Sequence, residues 1–108
     1  MANPLIFRNL FHILIVVPIL AYIGYHGANT PSTIFVMLMV TGLAVMIYHG
    51  YRYIQTQWNI NLIHIPLGIA FIIIGYWGHK FPKVIFHVFT ILALVTLLWH
   101  TSLLYSRM

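Results

Sequence analysis

Seven histidines carry nearly all the reactive chemistry in this sequence: His12, His26, His49, His64, His79, His87 and His100. The 108 residues include no Asp, Glu or Cys. Carboxylate acid–base catalysis and hard-cation sites therefore lack their ligands. Disulfides, iron–sulfur clusters and thiolate zinc are excluded as well. Imidazole can still ligate a transition metal or haem iron, or accept and pass on a proton near neutral pH. An enzyme acting on a soluble substrate is not expected from such a residue set.

Spacing along helices decides which histidines could act together. His12 and His26 are 14 residues apart, which at about 100° per residue returns to within about 40° of one face. His64 and His79 are 15 apart, about 60° off in the other sense. Two helices, each with two same-face imidazoles about 20 Å apart, could hold one haem b in each leaflet through His12, His64, His26 and His79. In this spacing, and in these four histidines alone, the chain resembles the transmembrane b-type cytochromes. Arg8, Arg52, Lys80 and Lys83 could then meet the haem propionates. His26 and His79 are shallow, however, with only short turns to cover them. His87 and His100 are 13 apart, about 220°, and cannot share one face of a straight helix.

Two other chemistries fit the same residues. Four imidazoles at one depth, His12, His49, His64 and His100, could bind Cu(II), Zn(II) or Ni(II). The remaining ring nitrogens would then need backbone carbonyls or Tyr and Thr hydroxyls as partners. Alternatively His49, His100 and His87 could relay protons or gate an ion path. An acidic selectivity ring is impossible, and no potassium-filter motif is present. A histidine one turn below a membrane surface can also simply bond headgroups or water. A bundle with no cofactor, acting as a structural or accessory subunit, is therefore the alternative.

The elements that must position these side chains are membrane helices. The chain is 62% hydrophobic and 5% charged, with a mean hydropathy of +0.97, whereas a soluble surface needs roughly a quarter charged residues. No formal charge lies between Arg8 and Arg52, room for two crossings of about 20 residues each. Residues 23–49 match residues 74–100 without a gap at a shift of 51. Ile23, Gly24, Tyr25, Gly27, Pro31, Ile34, Phe35, Leu43 and His49 recur as Ile74, Gly75, Tyr76, Gly78, Pro82, Ile85, Phe86, Leu94 and His100. This is a duplicated unit of helix end, tight turn and next helix. The expected fold is an all-α membrane protein, a four-helix transmembrane bundle of two tandem, parallel helical-hairpin repeats. They cover about residues 5–54 (helices 5–25 and 31–53) and 58–105 (helices 60–77 and 82–105) of a single membrane domain.

Local signals refine that plan. Pro18 should kink the first helix near Leu14, which membrane helices tolerate. Thr30 is placed to cap the second helix, with Pro31 at its first position. Gly42 and Ala44 could allow a close helix contact. Residues 52–61 form the polar linker, and Pro66 sits in the early turns of the third helix. Short turns make neighbours antiparallel, with the first and third helices on one diagonal. With the repeat setting the helix ends, His12, His49, His64 and His100 fall one per helix, roughly 7 Å below the interface nearest the termini. His26, His79 and His87 lie near the other side.

Tyr and Trp residues gather toward helix ends as an aromatic belt. The five basic residues give a net charge of +5 and lie near helix ends, where they would anchor to anionic headgroups. No basic stripe supports nucleic-acid binding. Other expected partners are further copies of the chain or a larger membrane complex. The apolar run after Arg8 continues past Tyr22 without a small-residue cleavage site, so a retained helix is expected rather than a signal peptide. Four crossings put both termini on one side, with Arg8, Arg52 and Arg107 there against Lys80 and Lys83 opposite. One extra basic residue favours the cytoplasm for the termini. The stretches NPLIFRNLFHIL and YHGYRY resemble small uncharacterised multi-span membrane proteins of large algal DNA viruses. That resemblance implies a host or virion membrane and transfers no residue roles.

Overall fold

The computed structural model describes residues 4–107, so Asn3 of the NPLIFRNLFHIL stretch and Met108 of the tail lie outside the described residues. In hydrocarbon every backbone N–H and C=O must be bonded within the chain, which leaves helices as the solution for a sequence this apolar. The first helix runs as α-helix over Pro4–Phe11, π-helix over His12–Val16 and α-helix again over Val17–His26. The second covers Ser32–Thr56, the third Ile60–Trp77 and the fourth Lys83–Arg107, with 3₁₀ turns at Gly27–Asn29 and Gly78–Lys80. No strand occurs among the described residues. All four helical stretches, Ile6–Asn29, Ser32–Thr56, Ile60–Lys80 and Lys83–Ser106, are long and apolar enough to cross a membrane. The chain is therefore all-α, with the four spans that a transmembrane four-helix bundle requires.

The helices pack as two compact units. One joins the first and fourth helices, and the other joins the second and third. The sequence repeats instead pair the first helix with the second and the third with the fourth, so the packed pairs cut across the duplication. In lipid, helices associate by close packing and interhelical polar contacts rather than by burial from water. Both units show this. A Cβ added to Gly42 would come 2.6 Å from the Gly68 carbonyl oxygen, and one added to Gly68 would come 2.6 Å from that of Gly42. One on Gly75 would meet the Phe35 carbonyl oxygen at 2.7 Å, and one on its repeat mate Gly24 would meet the Phe86 carbonyl oxygen at 3.2 Å. Phe35 and Phe86, also repeat mates, are buried in their respective units.

Several local expectations change. Gly42 makes the close contact, whereas Ala44 is exposed. Thr30 does not cap the second helix. Its hydroxyl donates to the Gly27 carbonyl at 2.7 Å, and the helix begins at Ser32 after Pro31. Gly27, at φ +59°, takes a positive-φ backbone open mainly to glycine and ends the α-helix at His26.

Near Leu14, where Pro18 is expected to kink the first helix, the backbone carries a π turn. Its reason lies in the sequence. Ahead of the turn, Asn9-Leu10-Phe11-His12 matches Asn61-Leu62-Ile63-His64 at a shift of 52, against 51 beyond it. The first helix therefore holds one residue more than the third, and the π turn absorbs it.

Candidate functional site: two imidazole pairs

Each unit contains a stacked pair of histidine rings. In the second–third unit His49 and His64 lie 3.9 Å apart between ring centroids, with planes 18° from parallel. In the first–fourth unit His12 and His100 lie 4.0 Å apart at 13°. The pairs are copies. His49 and His100 are repeat mates at the shift of 51, and His64 and His12 at the shift of 52.

The hydrogen bonds are copied too. Nδ1 of His64 donates to the Ile60 carbonyl at 2.7 Å, and Nδ1 of His12 to the Arg8 carbonyl at 2.7 Å, each one turn back on its own helix. Nδ1 of His49 donates to Oδ1 of Asn61 at 2.8 Å, and Nδ1 of His100 to Oδ1 of Asn9 at 2.8 Å, each across to the other helix. Amide and carbonyl oxygens only accept, so all four rings carry their proton on Nδ1. Nε2 is then the basic nitrogen of each.

Burial makes these bonds matter. Asn9 and Asn61 are 1% and 5% exposed, and His12 and His49 are 9% and 7%. A polar group buried in this way is costly unless it is hydrogen-bonded. Asn61 is fixed from the linker side as well, because its Nδ2 donates to the Trp58 carbonyl at 3.3 Å and to the Thr56 hydroxyl at 3.5 Å. Those donors orient the amide so that its oxygen faces His49. Gln57 makes the tight reversal possible. It sits in the left-handed region at φ 57°, and its N–H caps the second helix on the Tyr53 carbonyl at 2.7 Å.

No protein-family model, curated protein or solved structure matches the chain. The chemistry open to the site follows from the rings themselves. A metal bound by imidazole lies in the ring plane about 2.0–2.1 Å from nitrogen. Two rings stacked face to face have planes that do not converge at that range. Among the described residues no group of three or more His could hold a metal ion. The quartet His12, His49, His64 and His100 is thus brought together as two stacked pairs, and neither pair has the geometry of a chelate.

The residues expected to hold haem have other partners. Each haem pair, His12 with His64 and His26 with His79, has its members in different units. His26 lies 4.2 Å from Tyr22 ring to ring, and His79 meets Ser32 Oγ at 3.3 Å and the Phe35 ring edge-on at 4.9 Å. His87, the third residue of the expected relay, is exposed near the far end of the fourth helix, about 20 Å along it from His100, at the end of the span where its sequence position put it. Of the basic residues, Arg8 lends its carbonyl to His12, while its Nε is buried with no hydrogen-bond partner among the described residues. Arg52 donates to Gln55 at 3.0 Å, and Lys80 and Lys83 are exposed.

Asn9 and Asn61 are the residues of the candidate site that the spacing of the histidines did not reveal. Their signal is the Asn-Leu-x-His motif, which recurs at a shift of 52. An ungapped comparison at 51 passes over it.

Proposed function

We infer that this chain is a small integral membrane protein that takes up and passes on protons at two imidazole pairs. The observation that carries the reading is the twice-built geometry of each pair, with both rings anchored through Nδ1 to oxygen acceptors. Anchoring fixes the tautomer and leaves Nε2 as the atom that gains a proton. An imidazolium over the face of a neutral imidazole is favoured, as cations over aromatic faces generally are. Two imidazoliums about 4 Å apart would repel by roughly 4 kcal/mol at an effective dielectric of 20. Each pair therefore takes one proton, which either ring can carry. Stacked planes favour this chemistry over haem or metal binding.

Proteoliposomes with an internal pH dye test the reading. The wild-type chain should pass protons above the protein-free background, with a rate that changes steeply between pH 5.5 and 7.5, where imidazole titrates. The double variant His49→Ala, His100→Ala should fall to background. Wild-type flux no greater than that of empty vesicles would reject proton movement.

A cofactor-free structural role is the second reading, favoured by the Asn–His bonds that cross between helices in both units. It expects the double variant to lose helix-pair stability while flux stays at the empty-vesicle level throughout.

A further inference from the structure

The two units are copies at their histidines and at the Gly24 and Gly75 contacts, and differ in the side chains between them. In the first–fourth unit a groove of about 560 Å³ opens between the two helices, lined by Ala21, Gly24, Tyr25, His87, Thr90 and Leu94 among others. At the corresponding positions of the second–third unit Met39 lies against Gly75, and Met46 against Gly68. The sequence explains the difference. At the shift of 51, Met39 becomes Thr90, Met46 becomes Leu97 and Ile72 becomes Ala21. The side chain is smaller at two of these positions, Thr90 and Ala21, while Leu97 is about the size of Met46.

Polarity along the groove is graded. On the fourth helix Lys83, His87, Thr90, Leu94 and Leu97 follow one another at spacings of four, three, four and three residues, which places them on one face. The face starts with an exposed lysine at the helix end, passes through a histidine and a threonine, and finishes apolar. The matching face of the second helix reads Ser32, Val36, Met39, Leu43 and Met46, with no charge. From His87 to Leu97 the groove runs about 15 Å along the helix, half of the roughly 30 Å hydrocarbon core. Tyr25 stands at its polar end, where interfacial aromatics belong.

We propose that this groove binds one anionic phospholipid, with an acyl chain along Ala21, Thr90 and Leu94 and the phosphate at Lys83 and His87. Charge complementarity selects the headgroup, and the one-leaflet length selects a lipid chain over a packed helix from another copy. The inference is independent of proton uptake at the imidazole pairs.

Native mass spectrometry of the full chain released from mild detergent is the test, with phosphatidylglycerol, phosphatidylcholine of the same acyl chains and oleate as probes. One phosphatidylglycerol per chain should be retained about fivefold more tightly than phosphatidylcholine, the factor expected for a single basic residue at the surface. Lys83→Ser with His87→Val, which copies the residues of the other unit, should bring the two lipids within about twofold. Ala21→Ile with Thr90→Met should fill the groove and abolish retention of both. Equal retention of the two phospholipids by the wild type would overturn the proposal. So would phosphatidylglycerol binding that ignores the filled groove, or oleate held as tightly as phosphatidylglycerol. If circular dichroism shows the filled variant unfolded, the surface variant decides alone, and an unchanged preference in it rejects the site.

Discussion

Asn61 does three jobs at once: its oxygen accepts from His49 while its amide donates to Trp58 and Thr56. Asn9 accepts from His100 in the same way. Interhelical bonds of this kind in membranes are worth about 0.6 kcal/mol on average and up to about 1.7. Asn61→Leu and Asn9→Leu should each lower stability by about 1 kcal/mol, read from unfolding in detergent micelles. They should also free the facing ring, so nitrogen-15 spectra would show mixed tautomers for His49 in the first variant and for His100 in the second. A single Nδ1-protonated tautomer persisting in both would mean that the amides do not set it. The histidines stood out in the sequence because little else there can react. The asparagines did not, because an amide gains its role only from the ring it faces.

At the scale of elements, the π turn at His12–Val16 reconciles two registers. It keeps His12 stacked on His100 while Gly24 stays against Thr90 and Phe86. The third helix achieves both contacts with one residue fewer and no π turn. Deleting Leu14 should therefore convert the segment to plain α-helix and change stability by less than about 1 kcal/mol. Deleting Ile69 from the third helix, which has no spare residue, rotates His64 against Gly75 by about 100°. It should cost at least about 2 kcal/mol, because either the imidazole pair or the glycine contact is lost or overpacked. Thermal unfolding of the two deletion variants decides the matter; equal losses would show that the π turn is not an absorbed insertion. Pro18 pointed to irregular backbone near this place. The kind of irregularity depended on contacts with the fourth helix, which a local signal does not contain.

Over the whole molecule, an even number of spans sets sidedness. The chain has no cysteine of its own, so single-cysteine variants report accessibility directly. Gln55→Cys and Ser106→Cys should label from one side of a sealed vesicle, and Asn29→Cys and Lys80→Cys from the other. Labelling of Gln55→Cys and Asn29→Cys from the same side would remove a crossing and with it the four-span plan. The packed units also set how the fold is assembled. Asn61 meets His49 across 12 residues, whereas Asn9 meets His100 across 91. Loop closure grows costlier with separation, so the second–third pair has the entropic advantage in forming.

Composition and periodicity by themselves determined the all-α class, the four spans, the duplication and the set of imidazoles available. These follow from how much apolar length a bilayer needs and from which side chains can titrate, both properties of the chain read in order. Tertiary structure alone decided that histidines pair as His12 with His100 and His49 with His64, that asparagines hold them, and that a groove opens between the first and fourth helices. Each of those depends on which helix faces which, and a repeat constrains all helices alike without saying which neighbours will touch.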